Sequence, residues 1–596
     1  MCGILGFAGD DIVLAKKMAE SMSHRGPDGE GVFSDERLTL GHRRLAVIDL
    51  SPKAAQPMWS SEKTLGIIFN GEIYNFKELR KNLEDAGERF VTDSDTEVIL
   101  VGFKKEGKAF FSKMRGMWAL ALYDREKGEL TLSRDPFGIK PLYYLESGGH
   151  FSFASEMKAL NAYAKAKGIR FTFSLIGCAS FFTLGYAMHP HTVFQEIKKL
   201  SPGMVASYRC SSRELSFEKM PTQEVALPQT LEEALKDSVR HHLIADVPVG
   251  VFLSGGVDST LIALMLKELG APLHAFTVSM EGRQDATYAK KIAAFAGLTH
   301  HVIPLTRARL ESAYQKLFDT LDEPVADPGI LPSLVVSEEA RKLVTCVLTG
   351  EGGDELFFGY ERYQALASLS RVGASLGFFE SLAMPFSSSL PKAFGRRFRL
   401  FEARLRGDLL EGYLETVSLA GDIADRRAVS RELRKRFQLR DLPVSFFDEM
   451  LYLPDDLLYK TDIATMAHSL EARTPFLDSY VSSFAKRISG EDKLGTEGKL
   501  PLRALLKSRL PKELLMPDKL GFGVPRAMLQ RLIEPDLTDA ARTLSEKNIP
   551  GISRSVLERI AQDAAYRAHI ARAFPALPFS LTVLSRVLSE YDVRTL

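Results

Sequence analysis

Residues 247–259 read VPVGVFLSGGVDS, and the rest of the chain is organised around them. The first half is apolar: Val247, Val249, Val251, Phe252 and Leu253, broken only by Pro248 and Gly250. That composition predicts a short strand buried on both faces, as in a parallel sheet. The second half, Ser254-Gly255-Gly256-Val257-Asp258-Ser259, reads as a loop. A helical run follows from Thr260, with Gly270 as its stop. Strand, glycine loop and helix make an anion cradle. The glycines let the backbone approach a phosphate, Ser254 and Ser259 add hydroxyls, and the helix N-terminus adds unpaired N–H groups. This is not the Walker loop, because no lysine follows the glycines. Asp258 stands there instead. A carboxylate facing phosphates requires a cation between them, which makes Asp258 a Mg²⁺ ligand. Taken alone, the same residues also describe a Gly-Ser turn before a helix.

At 596 residues the chain exceeds a single core, so two or more domains are expected. Lys+Arg and Asp+Glu balance at 77 against 76, which gives no reason to expect nucleic acid or an anionic membrane. Cys2, Cys178, Cys210 and Cys346 are scattered without a C-x-x-C pair, against both a disulfide framework and a zinc site. Cys346, inside the apolar run VTCVL, reads as core. The N-terminus lacks a basic region followed by an apolar one, so no signal peptide is expected. Residues 171–188 carry no charge but are diluted by Thr, Ser and Gly, and predict a buried helix in place of a membrane span. The expectation is a cytoplasmic enzyme of small-molecule substrates, with a homodimer left open.

The chain begins Met1-Cys2-Gly3. With Met1 removed, Cys2 carries a thiol and a free α-amine, with reference pKa values of about 8.5 and about 8. The amine is then a general base on the nucleophile's own residue. Cys2 alone is more simply an ordinary second residue. Its company changes the reading: HRGPDG at 24–29, GHRRLAVIDL at 41–50, FNGEIYN at 69–75, TDSDTEVIL at 92–100, RGMWALALYD at 115–124 and SRDPFGIKPLYY at 133–144. Short alternating runs between and within them read as strands of a layered β-rich domain.

This region resembles the class II glutamine amidotransferase domain, an αββα fold with an N-terminal nucleophile. The resemblance implies that Cys2 attacks the side-chain amide of glutamine. It implies that Asn70 and the Gly71 N–H form the oxyanion hole. Arg44, followed by Leu45, Val47 and Ile48, would clamp the α-carboxylate, and Asp95 with Glu72 would hold the α-ammonium group. Taken singly, Arg44 is a surface arginine, Asn70-Gly71 a turn, and Asp95 a helix N-cap before an apolar run.

Pro202-Gly203, Cys210-Ser211-Ser212, Pro221 and Pro228 suggest a linker over 201–229, between a domain at 1–200 and a second at 230–596. Beyond the helical pattern at 231–246, strands and helices alternate through 273–280, 300–305 and 343–348. This indicates a doubly wound parallel α/β sheet with nucleotide at its strand C-terminal ends and helical additions after it. The last strand meets TGEGGDELFFGYERY at 349–363, whose glycines and acids mirror the first loop. Glu351 and Asp354 are candidates there for a metal ligand and a general base, and a helix cap is the plainer alternative.

YLPDDLLYKTDIATMAHSLEARTPFLD at 452–478, KLGTEGKLPLRALL at 493–506 and KLGFGVP at 519–525 complete a pattern similar to the glutamine-hydrolysing asparagine synthetase family. The resemblance covers nearly the whole chain. It implies that an acid is adenylated by ATP and that ammonia from the first domain attacks the acyl-adenylate. Lys499 would face the developing phosphate charge, and Glu351 would deprotonate the attacking ammonium. Leu253, Val278, Thr349 and Gly350 would line the ATP site with the pyrophosphate loop. Asp258 and Asp354 would hold Mg²⁺.

The acceptor side departs from the family pattern. D-P-S-A-[IL]-P-[ST] is Asp327-Pro328-Gly329-Ile330-Leu331-Pro332-Ser333 here, and F-G-G-Y is Phe357-Phe358-Gly359-Tyr360. A bulky Phe358 is expected to reshape the acceptor pocket. Aspartate is the leading acceptor on the family resemblance; both departures count against it and favour the alternative, a tailoring amidotransferase for another carboxylate, such as a sugar acid or a secondary metabolite. The basic, amphipathic stretch at 395–408 reads as a solvated helix or a membrane or partner contact.

Overall fold

Short apolar runs of the first 219 residues pair into two antiparallel sheets of six strands each. The computed structural model describes residues 2–222, 228–280, 285–373, 408–438, 442–515 and 523–594. The first sheet runs Ile197–Lys199, Tyr143–Ser147, His150–Ala154, Gly3–Ala8, Leu38–Arg44, Gly29–Ser34. The second runs Glu214–Lys219, Met204–Arg209, Glu129–Arg134, Gly116–Asp124, Leu65–Ile73, Met58–Trp59. Ile4, Leu38, Leu40 and Phe153 of the first meet Ile68, Ala119, Leu132 and Ala206 of the second. Helices Ile12–Glu20 and Met157–Lys167 cover one outer face, and Phe76–Asp85 and Asp95–Glu106 cover the other. The layers are therefore helix, sheet, sheet, helix, as expected.

The stretch expected to be a linker from 201 is corrected in its first part. Met204–Arg209 and Glu214–Lys219 form a hairpin on the edge of the second sheet, with Val205, Ala206 and Tyr208 buried. Pro202-Gly203 and Cys210-Ser211-Ser212 punctuate that hairpin and do not end the domain. Turn residues mark both loops and boundaries, and only strand pairing tells them apart.

Beyond the helix Leu231–His242, which starts in a Thr230–Glu233 capping box, five parallel strands stand in the order Thr299–Pro304, His274–Ser279, Val249–Phe252, Cys346–Leu348, Glu471–Arg473. The chain winds outward from Val249–Phe252, then returns to its other side. The reversal point lies between Val249–Phe252 and Cys346–Leu348, where an open α/β sheet forms its ligand crevice. The fifth strand, Glu471–Arg473, has two charged residues of three and was not legible as a strand. The helix after the first loop is Val257–Glu268 and not a run from Thr260, because Gly256 takes the N-cap position.

Residues 171–188 hold the buried helix Leu175–Leu184, and among the described residues no helix is long and apolar enough to cross a membrane. The C-terminal helices Arg526–Glu546, Arg554–Gln562 and Leu577–Ser589 pack on one another and join the large core that also holds Phe171 and Phe194. Most of the basic stretch 395–408 and part of the motif at 519–525 lie outside the described residues.

Candidate active site

Cys2 stands at the start of the Gly3–Ala8 strand and is buried. One pocket is lined by Cys2, Arg44, Leu45, Val47, Ile48, Gly71, Glu72 and Asp95, together with Gln56 and Ser94, which sequence reasoning missed. Three separate strand ends and a helix start supply them: Gly3–Ala8, Leu38–Arg44, Leu65–Ile73 and Asp95–Glu106. The Cys2 N–H donates to Asn70 Oδ1 at 2.9 Å. That bond fixes the amide orientation of Asn70 and turns Nδ2, buried and without a hydrogen-bond partner, away from the Cys2 N–H. Nδ2 is thus a buried donor left unused on the residue that holds the Cys2 N–H, although Asn70 itself is not among the pocket's lining residues. Gly71 sits where the neighbouring strand presses closest. A Cβ there would fall 2.0 Å from the Met117 carbonyl oxygen, so only glycine fits.

Arg44 donates to the Ser51 carbonyl at 2.9 Å and the Asp49 carbonyl at 2.5 Å, which fixes its guanidinium at the pocket wall. Asp95 is not the N-cap; Ser94 is, accepting the Thr96 N–H. This frees Asp95 Oδ2 to accept the Ile73 N–H at 2.9 Å. Burial pushes the Asp95 carboxyl up to about 6, against the hydrogen bonds that favour its charge. Burial, then Glu471 and Asp95, push Glu72 well above the carboxylate range. Burial also raises the Cys2 thiol. The pocket thus holds acids whose charge is costly until a cationic group arrives.

The second cavity, about 480 Å³, opens at the reversal point of the parallel sheet. Leu253, Ser254, Asp258, Ser259, Val278, Thr349, Gly350, Glu351 and Asp354 line it. Gly255, with φ +79°, and Gly256 form the turn beneath them. The Ser254 and Ser259 hydroxyls are 3.0 Å apart. Lys499, buried, reaches Asp258 at 2.5 Å and Asp354 at 2.9 Å. Burial opposes its charge, and the two carboxylates outweigh burial, so its pKa is raised. A Cβ on Gly359 would fall 1.8 Å from Asp354 Oδ1 and 2.2 Å from Lys499 Cε, so this glycine lets the triad assemble.

Among the described residues no group of three or more His, Cys, Asp or Glu is arranged to hold a metal alone. Mg²⁺ needs less: one or two carboxylates, with water and phosphate oxygens completing the shell. Asp258 and Asp354, drawn together by one ammonium beside the serine loop, fit that donor set.

Farther along the cavity, the Glu351 carboxylate accepts from Thr461 at 3.0 Å, and its other oxygen is buried without a partner. Lys460 pairs with Asp327, and both line the cavity with Tyr360 and Tyr452. Burial opposes the Lys460 charge, and Asp327 and Asp456 more than offset it. Lys460, Thr461 and the tyrosines were not singled out from sequence. The expectation for Phe358 is corrected. Its backbone is left-handed, φ +61°, and its buried ring lies against Tyr363, Gly490 and Lys493, outside the cavity lining. Gly329 donates its N–H to Asp327 at 2.7 Å and shapes the wall from behind.

A buried seam joins the two halves. Arg25 pairs with Glu156 and Asp462 at 2.8 Å each, and Arg115 with Asp478 at 3.0 Å.

A double-sheet domain opening on a buried cysteine, sealed against a parallel sheet with glycine–acid loops at its reversal point, defines an amidotransferase-type carbon–nitrogen ligase. The glutamine amidotransferase domain model matches residues 1–218, and the asparagine synthase model matches residues 230–579. Asparagine synthetase [glutamine-hydrolyzing] 1 of Bacillus subtilis is 34% identical over 563 residues, covering 88% of this chain and 87% of that protein. A putative asparagine synthetase [glutamine-hydrolyzing] of Mycobacterium bovis is 33% identical over 580 residues, 88% of each chain. Amidase chry2 of Gibberella zeae is 26% identical over 611 residues, 88% of this chain and 89% of that one. The chain belongs to the glutamine-hydrolysing asparagine synthetase family.

Proposed function

We propose that this enzyme converts aspartate, glutamine and ATP to asparagine, glutamate, AMP and pyrophosphate. In the first pocket the mature Cys2 α-amine takes the thiol proton, and Sγ attacks the glutamine amide carbon. Asn70 Nδ2 and the Gly71 N–H receive the oxyanion. Arg44 holds the α-carboxylate, and Asp95 and Glu72 hold the α-ammonium. The protonated α-amine passes that proton to the amide nitrogen, ammonia leaves as the thioester forms, and water, activated by the same amine, releases glutamate and restores the thiol.

In the second cavity the acceptor carboxylate attacks the α-phosphorus of ATP, and pyrophosphate leaves into the Ser254–Ser259 loop. Asp258 and Asp354 would hold Mg²⁺, which neutralises phosphate charge when bound. Lys499 faces the charge that develops on the α-phosphate. Ammonia then attacks the acyl-adenylate, Glu351 takes a proton, and AMP departs.

The observation that carries aspartate as acceptor is the Lys460–Asp327 pair beside Glu351. An amino acid can split such a pair, its α-carboxylate taking Lys460 and its α-ammonium taking Asp327. A sugar acid, with no ammonium, would leave Asp327 unmatched. The tailoring alternative keeps one support, Gly329, and loses Phe358. Free cysteines at all four positions agree with a reducing, cytoplasmic setting.

The test is amide formation from glutamine, aspartate and MgATP, following asparagine, AMP and pyrophosphate together. Equimolar products support the reading. Glutamate release without asparagine or AMP sinks aspartate and sends the search to other carboxylates.

A further inference from the structure

The Glu471–Arg473 strand touches one lining residue of each cavity, Thr349 of the nucleotide cavity and Glu72 of the cysteine pocket. Its pairing with Cys346–Leu348 ends with Leu348 opposite Arg473. One residue on, the Arg473 carbonyl accepts the Thr349 N–H at 2.8 Å and the Thr349 hydroxyl at 3.3 Å. Thr349 opens the T-G-E-G-G-D loop and lines the nucleotide cavity. The Arg473 side chain enters the seam between the domains and is fully buried. Its Nη1 donates to the His242 carbonyl at 2.8 Å and the Ile244 carbonyl at 2.7 Å, and Nε donates to Glu471 at 2.6 Å. Nη2 faces Glu72 Oε2 at 3.7 Å. Glu72 lines the cysteine pocket, two residues beyond Asn70 on the same strand.

This last contact is unfinished. Arg473 Nη2 and Glu72 Oε2 are both buried, and neither has a hydrogen-bond partner. Charge-assisted bonds of this kind close to about 2.7–2.9 Å, so a movement of about 1 Å separates the ion pair from a bonded one. Buried polar groups left unbonded are costly, which favours closure once Glu72 is charged. Burial, Glu471 and Asp95 disfavour that charge, and an ammonium group arriving in the pocket favours it. The other guanidinium bonds tie Arg473 to its own strand neighbour and to backbone carbonyls. A pull on Nη2 is therefore passed to the strand from which Thr349 hangs.

We propose that Arg473 is a positioning residue that couples the glutamine pocket to the nucleotide loop. Filling the pocket closes the Arg473–Glu72 contact and orders Thr349, and a filled nucleotide cavity favours a filled glutamine pocket in return, because coupling free energy is reciprocal. The proposal rests on the glutaminase reading above.

The experiment is glutamine hydrolysis by the full chain, with and without MgATP and aspartate. Wild type is expected to be stimulated about 5-fold or more. Arg473→Gln is expected to lose the stimulation while ammonia-dependent amide formation stays within about 3-fold of wild type, and Arg473→Lys is expected to regain part of it. Undiminished stimulation in Arg473→Gln overturns the proposal, as does its absence in wild type. An equal fall in hydrolysis, amide formation and Tm also overturns it, in favour of a purely structural role. If Arg473→Gln does not fold, Glu72→Asp serves, scored only as the ratio of stimulated to unstimulated hydrolysis: a lost ratio supports the coupling, and a kept ratio overturns it. Failure of the glutaminase reading is separate, because wild type would then release no glutamate under either condition, or Cys2→Ala would release as much as wild type.

Discussion

The two cavities prepare for their ligands in opposite ways. The cysteine pocket is small, built from strand ends, and keeps polar atoms unused: Asn70 Nδ2 and Glu72 Oε2 are buried and unbonded. The nucleotide cavity is wide, built from loops after strands, and matches its lysines with acids, Lys499 with Asp258 and Asp354 and Lys460 with Asp327, while Glu351 keeps one buried oxygen unbonded. A neutral zwitterion can enter the first with little rearrangement. A polyanion with a divalent cation needs the second, where ion pairs can be exchanged without stranding a charge. Rigid strands suit a site that fits one small molecule, and loops suit a site that must accept several.

Cys2→Ala breaks the comparison most sharply. It is expected to cut glutamine-dependent amide formation by about 10³-fold or more while ammonia-dependent formation survives, as loss of the nucleophile requires; steady-state assays with both nitrogen sources check it. Lys499→Ala is expected to reach the other cavity alone, lowering ATP–pyrophosphate exchange by about 10²–10³-fold and leaving basal glutamine hydrolysis in place. Lys460→Met sharpens the acceptor reading: KM for aspartate is expected to rise about 10–100-fold, as a lost charged hydrogen bond implies, with KM for ATP little changed.

The pH profile separates the pockets further. Burial holds Asp95 at about 6 instead of 3.8, so its anion disappears as pH falls through about 6. Glutamine kcat/KM is expected to fall there. Stability moves oppositely: a raised carboxyl binds its proton more tightly in the folded state, so its contribution declines as pH rises from about 4 to about 6. Asp95→Asn is expected to remove that pH-dependent contribution, measured as Tm against pH. The smallest effect concerns the acceptor wall. Phe358→Leu is expected to leave kcat/KM for aspartate within about twofold, since the ring lies outside the cavity.

Much of both sites was legible because chemistry with phosphate and with an amide restricts residue choice locally. The SGG-x-DS loop, the Asn70-Gly71 pair and the acids after Thr349 each sit within a few residues, and one strand or one turn sets their geometry. Less was legible where the decisive partner is distant. Lys460 and Asp327 are 133 residues apart, and although each lies in a quoted motif, neither window shows that the two pair. Phe358 misled because sequence places a residue beside a motif but does not say where its side chain points. The hairpin at Met204–Lys219 reads as a linker in sequence because its turns carry the same residues a boundary does.

By itself the sequence determined the two chemistries, the parallel sheet around Val249–Phe252 and the layered domain behind Cys2, since apolar period and turn residues act at short range. Only the tertiary structure decided which acids share a lysine, which strand closes the sheet at Glu471–Arg473, and that one arginine reaches from the nucleotide loop to the cysteine pocket. Those choices depend on burial and on charges brought together from distant parts of the chain, and neither exists until the domains have packed.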